Sequence, residues 1–257
     1  MTSDIKIVTF NLRCVWNGVD AQNSFVHRAG LIWEKVNEEK PDIIAFQECI
    51  SESIAILKKM FSDYLFLGHG RNADYDGEGL YTAIKISDFD LLDYETIWLS
   101  PTPYVAGSRF ENQSECPRTL VVSGIRHKKT GKVFNIYNVH LDHISESARV
   151  EGVTFVMQRI MADMKKRETY SVLLGDFNGK PDEETIKIVS KELFDVTKDS
   201  GITFHDFYKE DGLRMKIDYI FISHNLKENF TGYDIWNDTS NGIYLSDHYP
   251  LCAKFKL

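Results

Sequence analysis

Tyr170-Ser171-Val172-Leu173-Leu174-Gly175-Asp176-Phe177-Asn178 decides how this chain is read. The run Tyr170–Leu174 reads as a buried strand, and the glycine after it permits a tight approach as a carboxylate and an amide leave the strand's carboxyl end. An Asx-type turn would by itself account for Asp-x-Asn. The same construction, however, recurs along the chain. Ile5–Phe10 closes on Thr9-Phe10-Asn11, Asp42–Phe46 on Gln47-Glu48, and Val133–Asn138 on Asn138-Val139-His140-Leu141. Ile217-Asp218-Tyr219 lies in the run Lys216–Ile222, and Ser246-Asp247-His248 leads into Tyr249–Phe255. Carboxylates, amides and imidazoles delivered to strand ends from the whole length of a chain can converge on a bound metal ion and a phosphate.

Between these runs, Phe25, Ala29, Ile32 and Val36 recur at helical spacing, so the chain starts strand, helix, strand. Ser51–Phe61 reads as a helix, Tyr64–Leu67 as a strand, and Gly68–Gly79, rich in Gly, Asn and Asp, as a loop. Leu80–Leu99 carries the alternation of two strands. Ser100–Pro117, with three prolines, is a long loop of a kind that is usually functional or disordered. Lys128-Lys129-Thr130-Gly131-Lys132 turns a hairpin between Thr119–Arg126 and Val133–Asn138. Val153, Val156, Ile160 and Met164 mark a long amphipathic helix with Ser145 as its N-cap, and another helix falls near Asp182–Lys191. Spacing alone gives α/β or α+β.

The 257 residues, 43% of them hydrophobic, can bury a large core as one domain, with no strong linker, low-complexity tract or convincing internal repeat. A formal charge of -8, from 30 Lys+Arg against 38 Asp+Glu, weighs against tight non-specific grip on a duplex, although a local basic patch or a metal can outweigh it. The start, Met1-Thr2-Ser3-Asp4-Ile5-Lys6, lacks the basic and apolar segments of a signal peptide, and no stretch approaches the ~18 apolar residues of a membrane span. A soluble cytoplasmic protein without membrane insertion is expected, and no feature calls for an obligate protein partner. Cys14, Cys49, Cys116 and Cys252 lack paired spacing, which predicts reduced, mostly buried thiols.

In order and local sequence these signatures resemble the endonuclease/exonuclease/phosphatase superfamily from end to end, most specifically in Gly175-Asp176-Phe177-Asn178 and Ser246-Asp247-His248-Tyr249-Pro250. The resemblance implies an α/β fold, a four-layered αββα sandwich of two mixed sheets flanked by helices. It also implies a phosphoesterase dependent on a divalent metal, Mg²⁺ or alternatively Mn²⁺. Glu48 is then the principal metal ligand, with Asn11 beside it as a ligand or orienting amide and Asp247 as a further ligand or metal-water contact. Asp176 orients or deprotonates the attacking water, and Asn178 holds that carboxylate and a phosphate oxygen. His248, supported by Asp218, stabilises charge on the phosphate or moves a proton, while His140 contacts the phosphate and is a candidate donor to the leaving group.

Substrate contacts are less constrained. Alternation sends Asn138, His140 and Asp142 to one strand face, Arg118 can grip a phosphate bidentately, and Tyr81 is either a core aromatic or a pocket wall. Leu141-Asp142-His143, Gly70-Arg71, Gly77-Glu78-Gly79, Cys116-Pro117-Arg118 and Ser147-Ala148-Arg149 resemble a bacterial branch of the superfamily. That branch usually carries a Trp after Gly107-Ser108, where this chain has Arg109-Phe110-Glu111. Arg71 and Arg149 are expected to pair with acids. Three functions stand in order of preference: hydrolysis of a small phosphorylated metabolite, cleavage of DNA or RNA, and phosphate binding by a degenerate module. The last should lack one of Glu48, His140, Asp176 or His248, and all are present.

Overall fold

The computed structural model describes residues 3–14 and 20–257. In chain order its elements are β1 (Asp4–Asn11), α1 (Phe25–Glu39), β2 (Ile43–Cys49), α2 (Ser51–Met60), β3 (Tyr64–Gly70), β4 (Gly79–Lys85), β5 (Phe89–Trp98), β6 (Thr119–His127), β7 (Val133–His140), α3 (Glu146–Lys166), β8 (Tyr170–Asp176), α4 (Glu184–Ser190), β9 (Phe194–Asp195), β10 (Asp218–Ile222), β11 (Phe230–Ile235), β12 (Thr239–Ser240), β13 (Ile243–Tyr244) and β14 (Leu251–Lys256). Ser145 caps α3 as expected, its hydroxyl accepting from the Ala148 N–H.

Two six-stranded sheets, ordered β3-β4-β2-β1-β14-β11 and β5-β6-β7-β8-β10-β9, pack face to face. Each contains a single parallel pair, β1 with β2 and β7 with β8, and antiparallel neighbours on both sides. A parallel pair needs a crossover, which α1 and α3 supply. The alternation of each strand decides its layer. Ile5, Ile7, Ile43, Ile136, Val172, Leu174 and Ile220 point between the sheets. Val8, Phe10, Ile44 and Phe46 meet α1 and α2 on one outer face, whereas Tyr137, Leu173, Tyr219 and Phe221 meet α3 and α4 on the other. This is the αββα sandwich.

One expected loop is shorter than its composition suggested. β3 and β4 stay paired out to Gly70 and Gly79, because Gly68, at φ 143°, lets the Leu80 carbonyl approach where a Cβ would stand 2.0 Å from it. Among the described residues no helix is long and apolar enough to cross a membrane. The four cysteines are free thiols, and all but Cys116 are buried.

Candidate active site

The inward faces of the parallel strands change character along their length. Toward the carboxyl ends, the apolar residues between the sheets give way to Thr9, Asn11, Gln47, Asn138, His140 and Asp176, all nearly inaccessible. Parallel strands bring their carboxyl ends to the same edge, so β1, β2, β7 and β8 deliver Asn11, Glu48, His140 and Asp176 together. Two antiparallel strands complete the set from their amino ends. Asp218 opens β10 directly opposite Asp176, and His248 lies just before β14.

Local backbone irregularities aim the acids. Pairing of β2 with β4 shifts register between Phe46 and Cys49, and Glu48 sits in the left-handed region at φ 57°. A bulge of this kind re-aims a side chain, and such strain is commonly held at functional sites. At Asp176 the expected Asx turn forms: the Asn178 N–H donates to Asp176 Oδ1 at 2.8 Å, with Asn178 at φ 47°.

Asp176 Oδ2 is the hub. Asn11 Nδ2 donates to it at 2.9 Å, and His140 Nε2 and His248 Nε2 lie 3.5 and 3.8 Å away. The same Asn11 amide donates to Glu48 Oε1 at 3.0 Å, and the Cys14 N–H donates to Glu48 Oε2 at 2.8 Å. His248 Nδ1 donates to Asp218 Oδ2 at 2.8 Å. Ligand-capable atoms of Glu48, Asp176 and His248 fall within 4.8 Å of one another.

Burial and charge pull these groups apart. Burial, reinforced by the Asp218 charge, pushes Asp176 up to about 7. Burial opposes the charge on Glu48 as well, but His248, Asn11 and the Cys14 N–H outweigh it and hold the carboxyl below its usual range. His248 is driven toward neutrality by burial, yet Asp218 carries it up to about 10. Burial, with Arg118 and Arg71, keeps His140 well below the usual imidazole value. A buried and a half-buried carboxylate sharing one amide donor fit a hard divalent cation, which takes few carboxylates plus water and phosphate. His248 Nδ1 is engaged by Asp218, which leaves Nε2 turned toward Asp176 at 3.8 Å.

Asn138, Tyr81 and Asp142 stand elsewhere, whereas Asn178 and Asp247 line the cavity. Asn138 is wholly buried beneath the site: it accepts from Gln47 Nε2 at 2.8 Å and donates to the Phe46 and Tyr81 carbonyls, tying the two sheets together with no atom at the cavity. Tyr81 packs with Phe46 and α2 on the outer face, since its parity on β4 points away from the facing sheet. Asp142 lies past the end of β7 and accepts from Ser114 and from the Ile144 and Ser145 N–H groups, which orders the entry to α3. Asn178 holds Asp176 through its backbone, while its side-chain amide donates to the Leu141 carbonyl at 3.0 Å. Asp247 faces Arg13 Nε at 3.6 Å. Arg149 pairs with Glu183 at 2.6 Å and Arg71 with Glu78 at 2.7 Å, both as expected.

Glu48, His140, Asp176 and His248 floor a cavity of about 550 Å³, with Arg71, Glu78 and Arg118 also lining it, as do Phe204, Leu213 and Met215. Arg13 and Phe204 were not singled out by sequence, and Glu78 only within the branch-like Gly77-Glu78-Gly79. Arg13 could have been found two residues after Asn11. Phe204 carries no local signal and reaches the site because its backbone bridges to His248.

The sequence model of the Endonuclease/Exonuclease/phosphatase family matches residues 8–248, and the chain belongs to this family of hydrolases acting on phosphoester bonds. It is similar to a solved mannosyl-6-phosphatase from Bacteroides thetaiotaomicron, 26% identical with a TM-score of 0.86 over 97% of this chain and 98% of that one. An endonuclease/exonuclease/phosphatase from Bacteroides vulgatus is likewise 26% identical, with a TM-score of 0.89 over 98% of each chain. D. rerio TDP2, solved in complex with a single-strand DNA product, shares the fold at 19% identity, a TM-score of 0.76, and coverage of 98% and 99%.

Proposed function

We propose that this chain is a phosphatase dependent on a divalent metal, with Mg²⁺ preferred, that hydrolyses a small phosphorylated metabolite by direct attack of water. The observation that carries the reading is the convergence of Asn11, His140 and His248 on Asp176 beside Glu48. A cation held by Glu48 and Asn11 would supply polarisation of a phosphoryl oxygen and neutralise its charge. Asp176, basic near neutral pH, orients the attacking water and accepts its proton. His248, kept charged by Asp218, hydrogen-bonds to the phosphoryl oxygens as their charge grows. His140, kept neutral, donates a hydrogen bond to the leaving oxygen, which takes its proton from bulk water as the P–O bond breaks.

The preference for a small substrate rests on the cavity, whose about 550 Å³ suits one sugar-sized ester, and on the formal charge of -8. Similarity to a mannosyl-6-phosphatase points the same way. The test is turnover of sugar phosphates, nucleotides, phospholipids and oligonucleotides with Mg²⁺, Mn²⁺ or a chelator, at low and physiological salt. Efficient cleavage of DNA or RNA with a steep salt dependence, about -0.9 in log-log slope per neutralised phosphate, would replace the small-substrate reading with a nuclease. Full turnover in chelator would remove the metal.

A further inference from the structure

One flank of the site holds side chains that the hydrolytic steps above do not use. Arg71, Glu78 and Arg118 line a void of about 10 Å³ beside Glu48 and His140, room for roughly one water-sized atom. Arg71 and Glu78 close the turn between β3 and β4, and Arg118 immediately precedes β6. The turn is firmly set. Arg71 Nη1 meets Glu78 Oε2 at 2.7 Å, the Arg71 N–H donates to the Glu78 carbonyl at 3.0 Å, and Trp98 Nε1 donates to the Arg71 carbonyl at 2.6 Å. Arg118 is only 4% exposed and uses Nη2 alone, which donates to His143 Nδ1 at 3.0 Å. Its Nε and Nη1 are buried without a partner among the described residues. Idle donors on a buried guanidinium cost free energy until an acceptor reaches them.

The neighbours select the kind of acceptor. Glu48 and Glu78 line the same void as Arg71 and Arg118, so two acids face two guanidiniums. The formal charges of these four side chains balance without a further anion. A hydroxyl fits, since its oxygen accepts from Arg118, its hydrogen is donated to the Glu78 carboxylate, and it adds no charge. We infer that Arg118 and Glu78, the latter positioned by Arg71, form a specificity subsite for a hydroxyl on the group esterified to the phosphate. The substrate is then a phosphorylated polyol or sugar. This inference rests on the phosphatase reading.

The test compares kcat/KM for hexose phosphates and glycerol phosphate with that for phenyl phosphate, which carries the same scissile group and no hydroxyl. Wild type, Arg118→Met and Glu78→Gln are measured with Mg²⁺, and thermal melting checks their folding. Wild type should favour a polyol phosphate, and Arg118→Met should cut that preference over phenyl phosphate by about 10–100-fold, with Glu78→Gln moving it in the same direction. If Arg118→Met does not melt cooperatively, Arg118→Lys, which keeps the charge and loses the planar fork, carries the comparison. A preference unchanged in the folded variants would overturn the subsite, as would a preference for a sugar bisphosphate that the Arg118 variant abolishes. Either result leaves hydrolysis itself standing. Failure of the wild type to turn over any phosphoester with Mg²⁺ or Mn²⁺ would instead defeat the phosphatase reading, and the subsite with it.

Discussion

Asp218→Asn keeps the shape of the side chain and removes its charge. Asp218 is 2% exposed and takes the His248 Nδ1 hydrogen at 2.8 Å. Burial alone would leave the imidazole neutral, and the Asp218 charge and hydrogen bond reverse this, carrying it from 6.5 to about 10. A rise of that size corresponds to about 5 kcal/mol of preference for the charged form. Removing one partner of a buried pair costs a comparable amount, about 3–5 kcal/mol. Because the folded value is raised, this stabilisation is fully present below 6.5 and is lost as pH rises through about 10. The variant should therefore lose most stability in mildly acidic solution and least in alkali. Asp218 also contributes to the elevation of Asp176, so Asp176 should fall from about 7 in the variant. With His248 no longer reliably charged, kcat should drop by at least about 10²-fold. Imidazole nitrogen resonances of the metal-free protein, thermal melts over about pH 6–9, and Mg²⁺-supported kinetics read the three effects. A His248 still charged at the alkaline end of that range, or a kcat within about threefold of wild type, would refute the reasoning.

Glu48→Gln should weaken Mg²⁺ binding by at least about tenfold in calorimetry while the unfolding temperature of the metal-free protein changes little, because a neutral amide cannot hold the cation; unchanged affinity would put the metal elsewhere. Gly175→Ala should cost more than about 3 kcal/mol in urea unfolding, since Gly175 lies at φ 144° and a Cβ would stand 2.0 Å from the Val139 carbonyl oxygen. A wild-type midpoint would contradict that packing. Away from the site, burial pushes Asp42 up to about 6, so its contribution to stability is present below 3.8 and lost as pH rises through about 6. Asp42→Asn should flatten this decline in a pH series of urea midpoints, and an unaltered slope would count against it.

Much of the candidate site was legible because each member closes a strand within its own local sequence. Asn11, Glu48, His140 and Asp176 each follow or end an apolar run, and a period of two places Asn138 on the same face as His140 before any coordinates are known. What periodicity cannot supply is which face meets which layer. Asn138 turned out to bind the two sheets together below the site, and Tyr81 to face α2, because both outcomes depend on strands distant in sequence. No internal repeat is visible in the sequence, yet the two sheets share one pattern of parallel and antiparallel pairing. Arg28 reads as one more polar position on α1, but it is fully buried and donates to the Leu12 and Leu245 carbonyls, joining the segments that follow Asn11 and precede Asp247. The same holds for Arg118, whose idle donors exist only because β6 and the β3–β4 turn meet. Local sequence determines which chemistry a strand can offer and on which side, since those follow from residue type and the two-residue repeat. Which buried groups find partners, and which are left for a ligand, is decided by non-local packing alone.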